Sequence, residues 1–270
     1  MTLRPASLSL QVAALAFVLT GGVAAAQSAG KPAKGPTITK AIVKEAQAAQ
    51  AAIKGEKWAD CLAALAPTDA AANKSPYDEF AVNELRLVCA ARSNDLATAE
   101  RSLAKGIEIG EPNGFMDADT VKMRLRQLTQ LNYQLKNYPR TVEVGRRAIA
   151  ADPTNKDLRM IVAQAMYLIP DNAATAAFIE PWIGELEQRN EAPQELALGL
   201  WASACVRKKD DACTTRALEK RARYSPDQET WDNLSLLLLR ASPQDRTLDV
   251  MRFSNEVGSL SESDQVTEYA

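Results

Sequence analysis

The chain contains no histidine in 270 residues. That absence removes Ser-His-Asp and Cys-His catalysis, histidine-based zinc hydrolysis and haem ligation by histidine. Phosphate-cradling GxxxxGKS/T and GxGxxG patterns are also missing. Glycine and proline are scarce, at 12 and 13 residues, and aromatics make up 6%. No long alternating run rich in Val, Ile and Thr occurs, which argues against a sheet. The formal charge is -2, so no surplus of one sign points to nucleic acid as a partner.

What is present is mostly Ala, Leu, Glu, Lys and Arg, the good helix formers. An almost wholly α-helical chain is expected. The N-terminal segment differs. Arg4 precedes an apolar run from Leu8 to Leu19, Gly21 and Gly22 break it, and Ala24-Ala25-Ala26 offers a cleavage site before Gln27. This is the pattern of a secretory signal peptide over residues 1–26, shorter than the ~20 apolar residues of a span. No cysteine adjoins the site, which argues against a lipid anchor. No second run is long enough to cross a bilayer, so no integral span is expected after cleavage. Residues 27–38 are small, polar and proline-bearing, as in a flexible linker.

Residues 39–270 divide by apolar periodicity and punctuation into helices at 41–53, 58–65, 77–92, 96–109, 120–135, 140–151, 156–168, 173–188, 194–207, 212–224, 229–240 and 246–257. Residues 67–76 read as a loop, and 263–270 as the start of a further helix. Two stretches echo each other 34 residues apart: Leu125-x-x-Leu128-Thr129-Gln130-Leu131-Asn132-Tyr133 and Arg159-x-x-Val162-Ala163-Gln164-Ala165-Met166-Tyr167. A period of that length is one helix hairpin of a repeat array.

Residues 122–153 resemble a tetratricopeptide repeat, and 156–188 match less closely. Leu125 and Leu128 stand at the large positions of the first helix, Tyr138 at the turn aromatic, Ala148 at the helix crossing and Pro153 at the terminator. Thr129, Asn132, Thr141 and Gly145 depart from the pattern. The whole of 39–270 looks like the periplasmic tetratricopeptide proteins of Gram-negative bacteria. The resemblance implies a right-handed α-solenoid of about six antiparallel hairpins. It also implies a non-enzymatic scaffold that binds another envelope protein or peptide without a cofactor. A small-ligand or glycan-binding helical module is the alternative.

The cysteines are Cys61, Cys89, Cys205 and Cys213, with no CxxC pair, so no metal site is expected. Cys205 and Cys213 lie symmetrically about Lys209, and Cys61 and Cys89 about Ser75. Residues equidistant from a turn face each other across antiparallel helices, within reach of a disulfide. The pairs 61–89 and 205–213 are expected, consistent with an oxidising compartment; four buried thiols are the alternative.

In the resembled fold the first helix of each hairpin lines the concave groove. Carried over, Met123, Arg126, Gln130, Tyr133, Met160, Gln164 and Tyr167 would face a partner. Periodicity agrees in part, placing Leu125, Leu128 and Leu135 on one face and Arg126, Gln130 and Tyr133 on another. The tyrosines could equally be wedges between repeats. A basic run of Arg207, Lys208, Lys209, Arg216, Lys220, Arg221 and Arg223 is a second candidate surface, or simply a solvated face. The carboxylate pairs Glu185/Glu187 and Asp210/Asp211 read as solvated rather than catalytic. The four tryptophans read as inter-repeat core.

Overall fold

The computed structural model describes residues 36–241 and 247–259. The proposed signal peptide, most of the linker and the helix start at 263–270 lie outside the described residues. The described residues form twelve α-helices and one 3-10 turn, and no strand. The chain is all-α, and it divides into two compact units, residues 1–124 and 125–270.

The first unit holds α1 (Val43–Lys54), α2 (Trp58–Leu65), the 3-10 turn Ala66–Asp69, α3 (Pro76–Arg92), α4 (Leu96–Gly110) and the start of α5 (Ala118–Gln134). α1 packs on α2 and α3, and α3 on α4. The expected loop at 67–76 is shorter than its prolines implied. Pro67 sits in the 3-10 turn, and Pro76 opens α3, where its missing N–H costs nothing. Ser75 caps α3: its hydroxyl accepts from Asp78 N–H at 3.1 Å, and its own N–H donates to Asp78 Oδ2 at 2.8 Å. Thr39 donates to the same carboxylate through N–H at 2.7 Å and Oγ1 at 2.8 Å. Asp78 is fully buried and ties the chain ahead of α1 to the N-terminus of α3. Burial raises its pKa, but the bonds from Thr39 and Ser75 outweigh that and hold the carboxyl below its ordinary range.

The second unit continues with α6 (Tyr138–Ala151), α7 (Lys156–Leu168), α8 (Asn172–Gln188), α9 (Glu195–Lys208), α10 (Asp211–Tyr224), α11 (Gln228–Ala241) and α12 (Thr247–Glu256). Each helix packs on its sequence neighbour, and α7 also packs on α9. Contact between alternate helices is what stacks one hairpin on the next in an α-solenoid. Trp182 and Trp201 are both 2% exposed in the resulting core, and Trp231 packs at its edge.

One turn geometry recurs where a first helix passes to a second. Glu56, Asn94, Lys136 and Lys209 have φ of 54, 59, 58 and 57°. The following N–H then donates back five residues: Lys57 to Ala52, Asp95 to Ala90 and Asn137 to Asn132 at 2.9 Å, and Asp210 to Cys205 at 3.2 Å. This is the Schellman closure. Asp95, Asn137 and Asp210 then cap the next helix through their side chains, at 3.0, 3.3 and 2.9 Å. Gly55, which punctuates the sequence, has φ -89°; the left-handed residue is Glu56.

The four departures from the tetratricopeptide pattern lie together in the core. Thr129, Asn132 and Thr141 are fully buried, and Gly145 is buried with them. Thr129 Oγ1, Asn132 Nδ2 and Thr141 Oγ1 donate to backbone carbonyls four residues back at 2.8, 2.9 and 2.8 Å, so these three donors are satisfied locally. A Cβ on Gly145 would lie 2.3 Å from Val162 Cγ2 and 3.2 Å from Thr129 Cγ2. The large residue missing at 145 is replaced by close approach of α7.

Candidate functional site

The echoed residues take equivalent places on α5 and α7. Leu128, Leu131, Val162 and Ala165 are buried, while Gln130 and Gln164 are half-buried with their amides unpartnered among the described residues. Tyr133 and Tyr167 follow three residues later and are also half-buried. Arg126 is exposed, and Met123 is half-buried in the first unit. Met160 does not belong to that surface. It is 8% exposed in the cluster that includes Ala163, Ile179 and Trp201, because the packing of α7 on α9 covers it. Leu135 corrects the opposite expectation: it lies just past the end of α5 and is 37% exposed, while Leu131 fills the core.

Each tyrosine already has a neighbour. The Tyr133 ring lies 5.8 Å from that of Tyr138, tilted by 59°. Burial and the adjacent Tyr138 raise the Tyr133 phenol above its ordinary pKa, so it remains a proton donor across the neutral range. The Arg207 guanidinium stands 4.2 Å from the centre of the Tyr167 ring. The periodicity of one helix at a time could not reveal this contact, because it joins the ends of α7 and α9.

The basic run is largely neutralised within the unit. Arg216 Nε donates to Glu180 at 2.8 Å, and Lys220 donates to both carboxylate oxygens of Glu187 at 2.8 Å, with Tyr224 OH adding a third bond at 3.0 Å. Arg221 meets Asp227 at 2.6 Å and Lys208 meets Asp210 at 2.9 Å. These pairs leave little net field for an acidic partner. Three of the four carboxylates named as pairs are occupied likewise. Glu185 holds Arg159 at 2.7 Å, while the bond from Lys220 keeps Glu187, and the bond from Cys213 N–H keeps Asp210, below the ordinary range. Neither has the raised pKa of a general acid.

The disulfides join the expected cysteines. Cys61–Cys89 links α2 to α3 with a Cα separation of 6.1 Å, and Cys205–Cys213 spans the α9–α10 turn at 5.5 Å. Among the described residues, no group of three or more metal-ligating side chains gathers. No described helix is long and apolar enough to cross a membrane.

No protein-family model and no curated protein matches the chain. Among solved structures, MamA from Desulfovibrio magneticus RS-1 is similar at 14% identity over 67% of this chain and 96% of its own, with a TM-score of 0.42. The C-terminal part of a TPR repeat-containing protein from Cytophaga hutchinsonii aligns at 12% identity over 78% of each chain, with a TM-score of 0.43. PilW, a type IV pilus biogenesis factor, aligns at 12% identity over 85% of this chain and 99% of its own, with a TM-score of 0.35. Scores at this level fix neither a shared repeat register nor a shared partner.

Proposed function

We propose that this chain is an exported, non-enzymatic tetratricopeptide-type scaffold. It works in the bacterial periplasm, where it holds another envelope protein through the first-helix face of its second unit. The observation that carries this reading is the pair Gln130 and Gln164. They occupy the same position on successive first helices, remain half-exposed, and have amides with no partner among the described residues. Buried polar groups demand partners, and a surface amide on each of these two helices is a donor and acceptor in wait for an extended or helical segment. Arg126 and the donor hydroxyl of Tyr133 extend the same face. The two disulfides and the signal-like residues 1–26 support export to an oxidising compartment.

Photo-crosslinking from positions 130 and 164 in cells tests the reading. One envelope protein should be captured from both positions, and replacing both glutamines with alanine should weaken that capture without changing thermal stability. Equal capture by the double variant would refute this face. A mature chain that retains residues 1–26 would refute export by cleavage.

A further inference from the structure

A second surface lies in the first unit, on the side of the second helices. An open groove of about 610 Å³ runs between α2 with its 3-10 turn, α3 and α4. Its size falls in the ~300–1,000 Å³ range of ligand sites. α4 contributes Thr98, Arg101, Ser102 and Lys105, a stripe at helical spacing, and Arg86 faces it from α3. The cations have different commitments. Arg86 is anchored by Asp69 at 2.7 Å and by the Leu65 carbonyl at 3.4 Å. Arg101 hydrogen-bonds the Thr98 hydroxyl at 2.9 Å, and its charge acts on the nearby Asp95 carboxylate without a direct bond to it. Lys105 reaches Glu108 at 2.7 Å in an exposed pair that is weakly held. The hydrogen bond that Lys105 donates to Glu108 raises its pKa, keeping it an ammonium.

We infer that this groove binds an extended segment of a protein partner that carries separated carboxylates beside aliphatic side chains. Arg101 and Lys105, one turn apart on α4, receive the carboxylates, which guanidinium and ammonium groups bind through charge-assisted hydrogen bonds. Leu62 and Ala66 supply the apolar wall. Asp69 and Asp95 line the same groove and repel a compact polyanion, so the site favours single charges spaced along a peptide over phosphate. The lining is mixed in sign, as in interfaces where charge sets specificity. This surface belongs to the first unit and stands independently of the glutamine face.

The test uses the full chain and a fluorescein-labelled, amidated peptide of alternating leucine and glutamate. Its glutamine counterpart is the control, and anisotropy is the readout at low salt. The acidic peptide should bind at least tenfold more tightly than the control and weaken steadily as salt rises. Arg101→Ala combined with Lys105→Ala should lower its affinity about tenfold with an unchanged melting temperature, since both side chains are exposed. Arg146→Ala, on exposed α6 surface, should leave binding unchanged. Equal binding of both peptides, displacement by equimolar inorganic phosphate, or an unaltered affinity in the double variant would overturn the assignment.

Discussion

Arg207, at the end of α9, caps the ring of Tyr167, at the end of α7, from 4.2 Å. One ring face is therefore already covered by a cation of the protein itself. The tyrosine acts first as a wedge between hairpins, and only its remaining edge is open to a partner. Replacing Arg207 with alanine should cost about 0.5–1 kcal/mol, the range of exposed cation–π contacts. Tyr167→Leu should make the Arg207 change neutral. Urea unfolding of the two single variants and the double variant measures this coupling; additive losses would show that the contact has no energetic role.

The buried pair of Glu84 on α3 and Arg124 on α5 sets a pH dependence. Their side chains are 10% and 8% exposed. Burial pushes the Glu84 carboxyl above its ordinary value of 4.5, against the opposing pull of Arg124. A carboxyl with a raised folded pKa binds its proton more readily in the folded state. Its stabilising contribution is therefore complete below the unfolded pKa and is lost as pH rises through the folded one. Arg124→Leu removes the opposing charge and should cost about 3–5 kcal/mol at neutral pH, because an uncompensated carboxylate is left buried. At a pH low enough for Glu84 to carry its proton in both the folded and the unfolded chain, the same variant should lose much less. Glu84→Leu together with Arg124→Leu should recover most of the neutral-pH loss. Equal losses at both pH values would contradict this account.

Gly145 and Val162 form a close crossing that tolerates no added atom. Gly145→Ala should destabilise the second unit by about 1–3 kcal/mol, the cost of overpacking. Val162→Ala in the same chain should make that loss smaller than in the single variant. A neutral Gly145→Ala, read by thermal melting, would mean the crossing relaxes freely.

The disulfides should be visible as stability. In the chain-entropy view the Cys205–Cys213 loop contributes about 2.5 kcal/mol and the Cys61–Cys89 loop about 3.5 kcal/mol. Reductant should lower the melting temperature of the full chain. Cys205→Ala with Cys213→Ala should leave a smaller reductant effect, due to the remaining bond alone. Four alkylatable thiols in the mature, non-reduced protein would show that neither bond forms.

The sequence by itself determined the helical class, nearly every helix and the pairing of the cysteines. These are local matters: apolar residues at 3.6 spacing mark a helix, and equal distances from a turn fix which residues face each other. Turn chemistry was harder to read, because Glu56, Lys136 and Lys209 carry the left-handed conformation usually given to glycine. The tetratricopeptide departures at 129, 132, 141 and 145 looked like lost signal. Only packing shows that they form one buried seam into which α7 moves. Tertiary structure also decided which polar-face residues remain at the surface. It buried Met160, left Leu135 exposed, set Arg207 on Tyr167 and matched the basic run with acids from other helices. It gathered Arg86, Arg101 and Lys105 around one groove, and it joined Glu84 to Arg124 across 40 residues. These outcomes depend on which helices meet, and a pattern read along one helix holds no information about the side chains brought to it by another.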